Sequence, residues 1–152
     1  MDAAGELIEQ IRDRGIDVWI AGPQPEQSIQ TVENALGVGL PTDLRSFIAE
    51  FGGLEVNGSC VSGIVDDDPL AREGGNLYND TMVFREDHRI PEDLLVIQPD
   101  EDAPYCISAR ADGAGSDSPV LCYELHSGNR HVIAPSFSVW LIRDYLKGWI
   151  AE

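Results

Sequence analysis

Three histidines and three cysteines are the first residues in this 152-residue chain with catalytic potential. His88, His126 and His131 stand in polar surroundings, the last two flanking the turn sequence SGN. A Ser-His-Asp or Cys-His apparatus needs a nucleophile presented beside a base, and no G-x-S-x-G string occurs. Cys60, Cys106 and Cys122 each lie in an apolar, strand-like stretch. They form no C-x-x-C pair and have no histidine at zinc-ligand spacing. They read as buried, reduced thiols. The expectation is a chain that is not an enzyme and holds neither metal nor cofactor.

The other chemically capable residues are acids. Asp66, Asp67 and Asp68 form one run, Asp100, Glu101 and Asp102 another, and Glu86 and Asp87 lie between them. Hard cations need several carboxylates, but neither run has the D-x-[DN]-x-[DN]-G spacing of a calcium loop, so solvated turns are expected. GGN at 74–76 and ADGAGSDS at 111–118 are loop sequences without the lysine of a phosphate-binding loop. In all, 27 acids face 10 bases, a formal net charge of −17. Such a surface repels phosphates, which argues against nucleic acid and anionic membranes as partners. It attracts a basic protein and speeds its association, although the same charge also serves plain solubility. The candidate contact residues are therefore the two acidic runs with Glu86 and Asp87. Trp19, in a short segment ahead of Gly22-Pro23, is a candidate aromatic anchor.

The elements that would position these residues can be read from periodicity. Residues 2–14 repeat Ala4, Leu7, Ile8 and Ile11 at helical spacing, with Asp2 as a cap and Gly15 as a stop. IDVWI (16–20) suits an edge strand. A helix near 27–36 buries Ile29, Val32 and Leu36, and one near 43–51 aligns Leu44, Phe47, Ile48 and Phe51. Strands are expected at 59–65, 94–98, 105–110, 119–125 and 131–134, joined by connectors rich in turn formers. Asp80 could cap a short helix over 81–89, and a closing helix near 138–147 carries Phe137, Trp140, Leu141, Tyr145 and Trp149. Trp140 and Trp149 are expected in the core.

Helices, then strands joined by short turns, then a helix predict an α+β domain over 1–152. It would have one antiparallel sheet of about five to six strands with helices on one face. The hydrophobic fraction, 43%, suits a folded globule. No apolar run approaches the roughly 20 residues needed to span a bilayer. The start, MDAAGELIEQ, lacks the basic region and apolar core of a signal peptide, so a cytoplasmic location is expected.

Residues 25–53, PEQSIQTVENALGVGLPTDLRSFIAEFGG, resemble the signature of the SMI1/KNR4, or SUKH, family. The pattern E-x-x-L-G is met by Glu33, Leu36 and Gly37. Leu40-Pro41, the aromatic Phe47 and a terminal Gly52-Gly53 follow. Thr81-Met82-Val83-Phe84-Arg85 with Ile90-Pro91-Glu92-Asp93-Leu94-Leu95 is similar to the family's second block, and Ser136-Phe137-Ser138-Val139-Trp140-Leu141 to its closing helix. Each piece has a structural reason: Gly37 and Gly53 for left-handed turns, Pro41 for helix entry, and Leu36, Leu40 and Phe47 for the core. The resemblance implies a fold and no active site. Bacterial members are typically immunity proteins encoded beside polymorphic toxins, many of them nucleases or deaminases, whereas fungal members resemble regulatory scaffolds. What it implies here is a binder of a cognate basic toxin acting by stoichiometric occlusion. A regulatory scaffold and a small-ligand role in a sheet-lined cleft stand as the other readings.

Overall fold

A computed structural model describes residues 2–108 and 118–151. Helix α1 (Asp2–Asp13) buries Ala4, Leu7, Ile8 and Ile11. Strand β1 (Val18–Ile20) leads to α2 (Glu26–Leu36), which buries Ile29, Val32 and Leu36. That helix stops where Gly37, at φ 70°, takes the left-handed conformation a side chain resists. Helix α3 (Thr42–Phe51) turns Leu44, Phe47, Ile48 and Phe51 inward. Phe47 has no exposed surface, and its ring lies 5.2 Å from that of Phe137 and 5.8 Å from that of Phe51.

The family-like Glu33 earns its place through its carboxylate. It accepts from the Leu40 N–H at 2.7 Å and from the Arg45 guanidinium at 3.0 Å. Arg45 also reaches Glu26, so one guanidinium on α3 grips two carboxylates on α2. Burial alone would raise the Glu33 carboxyl. Arg45 and the Leu40 N–H more than offset this and hold it below the usual glutamate range.

The strands form two sheets, where one was expected. β1, β2 (Leu54–Val56) and β3 (Ser59–Val61) make a three-stranded antiparallel sheet in that order. β4 (Leu94–Gln98), β5 (Tyr105–Ser108), β6 (Val120–Tyr123) and β7 (Arg130–Ala134) make a four-stranded antiparallel meander. The expected strand 59–65 ends at Val61 because the chain turns away there. The Ser62 hydroxyl donates to Asp80, Gly63 N–H to the Gly75 carbonyl (2.8 Å) and Leu77 N–H to the Gly63 carbonyl (2.7 Å). Where the sheets abut, Ser62 N–H bonds the Ile97 carbonyl at 2.8 Å, and the Gln98 amide donates to the Ser59 hydroxyl and the Cys60 carbonyl. A side chain thus takes over from the backbone ladder. The expected strand residues 109 and 110, and most of the loop sequence 111–118, lie outside the described residues.

Helices cover both faces of the meander, not one. Leu95, Ile97, Ile107 and Val120 join the main core with α1, α2, α3 and the last helix. Leu94, Val96, Cys106 and Leu121 face the other way, onto Phe84 and Ile90. Phe84 belongs to α4 (Leu77–His88), which begins earlier than expected, with Asn76 at its N-cap position. Asp80 is therefore not a cap. It lies in the first turns of α4 with its side chain buried.

The last helix opens at Phe137–Val139, where the Ser136 side chain accepts from Val139 N–H. Asp43, from α3, accepts from both the N–H and the hydroxyl of Ser138. The helix then widens to a π-helical stretch, Trp140–Leu146, and closes with a tighter turn, Lys147–Trp149. Trp140 is buried, as expected, but Trp149 is only half-buried against the core. From this helix the Tyr145 hydroxyl accepts from Val56 N–H at 3.2 Å and donates to the Ser59 carbonyl, clamping the β2–β3 hairpin.

Candidate functional site

Alternation along the small sheet decides what its two faces carry. Leu54, Val56 and Val61 are buried, with Val18 and Ile20 packed against them. The opposite face carries Trp19, Glu55 and Cys60, which register directly across the three strands. Side chains in such a row stand about 5 Å apart at Cβ and work as one surface. Trp19 is 49% exposed. Among the described residues, the other large apolar side chains in solvent are Val132 and Ile133 on β7.

This row floors a cleft of about 710 Å³, walled by Val65, Glu73, Gly74, Gly75, Asp80 and Pro99. Two smaller depressions share its residues. One of about 340 Å³ adds Asp17 and Asn57, and one of about 400 Å³ adds Asp100 and Tyr105. The wall stands because Asn76 organises it: its side chain accepts from Val65 N–H at 2.8 Å and donates to the Ala71 carbonyl at 3.0 Å. Asp66 and Asp68 close local turns by accepting from Asp68 N–H and Leu70 N–H. Asp100 does the same for Asp102 and Ala103.

The electrostatics of the cleft are negative. Burial raises the Asp80 carboxyl, partly countered by donors from Ser62, Asn79 and Gly75. Glu73 is pushed up by the neighbouring Asp66 carboxyl, itself held low by the Asp68 N–H. Cys60 is pushed up to about 12, by burial first and then by Asp80 and Glu55. At neutral pH it is a thiol and a poor nucleophile. Among the described residues, no group of three or more His, Cys, Asp and Glu side chains is placed to hold a metal ion.

The candidate residues fall into three groups. Trp19 lines the main cleft, and Asp66 and Asp100 stand next to or on its rim through Val65 and Pro99. Asp67 and Asp68 are exposed on the same loop. Glu101 and Asp102 line a different depression, of about 280 Å³, with His88, Leu125 and His126, and Asp87 adjoins His88 in sequence. Glu86 is engaged elsewhere, in an ion pair with Arg72 at 2.8 Å. Sequence reading missed Glu55, Glu73 and Asp80. The one usable signal was the alternation Leu54-Glu55-Val56, which marks a strand with an outward glutamate.

Helices on both faces of an antiparallel meander, beside a smaller antiparallel sheet that floors a cleft, define a domain of α+β class. A model of the SUKH_5 family, described as SMI1-KNR4 cell-wall, matches residues 4–147. The chain belongs to the SUKH (SMI1-KNR4) family, which is known for immunity-type proteins and is generally non-enzymatic. No curated protein matches the chain. Among the described residues, no helix is long and apolar enough to cross a membrane.

Proposed function

We propose that this chain is a single cytoplasmic protein-binding domain that gives immunity to a cognate basic toxin, of nuclease type, by occupying it one to one. One observation carries the reading: a large aromatic, Trp19, stands in solvent in register with Glu55 over an acid-lined cleft. Exposed aromatics in desolvatable hollows are typical anchors of protein interfaces. The charge of −17 adds long-range attraction for a toxin whose own basic surface grips nucleic acid. Bound there, the chain occludes that surface and catalyses nothing.

The test is to titrate this protein into a candidate cognate toxin domain, basic and of nuclease type, while following both binding and toxin activity. Stoichiometric loss of activity is the expected result. Tight binding that leaves the toxin active would replace immunity with a regulatory scaffold role, and no binding would reject the toxin partner.

A further inference from the structure

We propose that the cleft over β1–β3 seats an arginine side chain of the basic partner, its guanidinium lying on the Trp19 indole and paired with Glu55 and Glu73. The inference rests on the reading of this chain as a binder of a basic protein, and specifies what enters the cleft.

Ion pairing elsewhere on the molecule sets the contrast. Arg45 serves Glu26 and Glu33, Arg72 serves Glu86, and Arg130 serves Asp93. The cleft and the two depressions that share its residues hold Asp17, Glu55, Glu73, Asp80 and Asp100, yet among the described residues no lysine, arginine or histidine lines them. Among the described residues, their negative charge has no cation of the chain's own inside the hollow. The Asp66 carboxyl pushing Glu73 upward is a sign of that surplus.

Arginine suits this hollow better than lysine. A guanidinium is planar and weakly hydrated, stacks on an indole and forks onto carboxylates, whereas an ammonium is a compact and strongly hydrated point charge. The apolar surfaces of Cys60, Val65 and Pro99 are there to cover the methylene stem. At about 710 Å³ the cleft also has room for the residues flanking the arginine.

The experiment uses the full chain labelled on its tryptophan indoles, with the Trp19 resonance identified by Trp19→Phe. Three blocked pentapeptides are titrated in, identical but for a central arginine, lysine or citrulline. The arginine peptide is expected to shift the Trp19 indole saturably, with a Kd on the order of millimolar. Lysine should bind several-fold more weakly, and citrulline should leave the resonance in place. Glu55→Gln and Glu73→Gln should each weaken arginine binding about three- to ten-fold. An unmoved Trp19, or citrulline or lysine matching arginine, overturns the proposal.

The two readings fail separately. Arginine-peptide binding that survives when the toxin domain does not bind upholds the cleft and rejects immunity. Toxin binding at unchanged affinity by Trp19→Phe and Glu55→Gln proteins rejects the cleft and leaves immunity standing.

Discussion

Gly63 packs so closely against Gly52 that a Cβ added to it would stand 1.8 Å from the Gly52 carbonyl oxygen. That oxygen accepts from Ile64 N–H at 2.9 Å, so neither segment can retreat without losing a hydrogen bond. Gly52 itself sits at φ 74°, and a Cβ there would meet the Gly22 carbonyl oxygen at 2.3 Å. The left-handed residue of the Gly-Gly pair is thus Gly52 and not Gly53. Gly63→Ala is expected to cost more than about 3 kcal/mol, as overpacking against backbone does. Gly5→Ala, inside α1 with open space around it, should instead stabilise by about 0.5–1 kcal/mol. Urea unfolding of both variants checks the pair, and equal midpoints would refute the close approach.

Phe47 is the best test of the core. It is fully buried between Phe51 and Phe137, so it ties α3 to the last helix. Phe47→Ala should cost about 3–5 kcal/mol, comparable to the whole stability of a marginal domain. A melting temperature close to that of the parent protein would contradict the packing.

Glu33 should impose a pH dependence with a definite sign. Its carboxyl is held below the ordinary value of 4.5 in the folded chain. The stability it contributes is therefore fully present above the unfolded-state value and lost as pH falls through the lower folded-state value. Glu33→Gln should cost about 1–3 kcal/mol at neutral pH, since it weakens three hydrogen bonds to a charged group, one from Leu40 and two from Arg45. The gap between variant and parent should narrow as pH drops below 4.5. Denaturant titrations at several pH values would show it, and a pH-independent gap would count against the ion pair.

Asp80 should act in the opposite direction. Burial raises its carboxyl above the ordinary 3.8, so the folded state binds its proton more tightly than the unfolded state does. Its contribution is most favourable below 3.8 and declines as pH rises through the raised value. Asp80→Asn cannot titrate, so parent and variant curves should diverge across that window, the parent losing ground as pH rises. Parallel curves would show that the buried carboxyl does not titrate there.

The acidic loops lend themselves to a kinetic test. Asp66, Asp67, Asp68, Asp100 and Asp102 changed to Asn, with Glu101 to Gln, should leave stability nearly unchanged. Asparagine keeps an acceptor oxygen for the turns that Asp66, Asp68 and Asp100 close, and exposed charges contribute little. Association with the basic toxin domain should slow about ten-fold or more at low salt, and the loss should shrink as salt rises. Stopped-flow rates at two ionic strengths measure this. Equal rates would leave the charge to solubility.

The sequence by itself determined what repeats locally. The apolar spacing of α1, α2 and α3, the strands of the meander and the turn-forming connectors follow from side-chain periodicity, which any short window contains. The burial of Phe47 and Trp140 was legible for the same reason, as was the family, because its signature is a string, whereas Trp19 offered only a candidate anchor whose exposure the strand register settled. Tertiary structure alone decided the rest. The strand around Cys60 ends where the Ser62 hydroxyl meets Asp80, a residue 18 positions away, and that turn splits the strands into two sheets. Leu94 to Ile97 form a wholly apolar run, the pattern of a strand buried on both faces, but which element covers the second face, α4, is decided only by the tertiary structure. The cleft joins Trp19, Glu55, Glu73 and Asp80 from four segments of chain. Its acids lack a distinguishing motif because what they share is a place, set by strand register and by glycines that let backbones cross at contact distance.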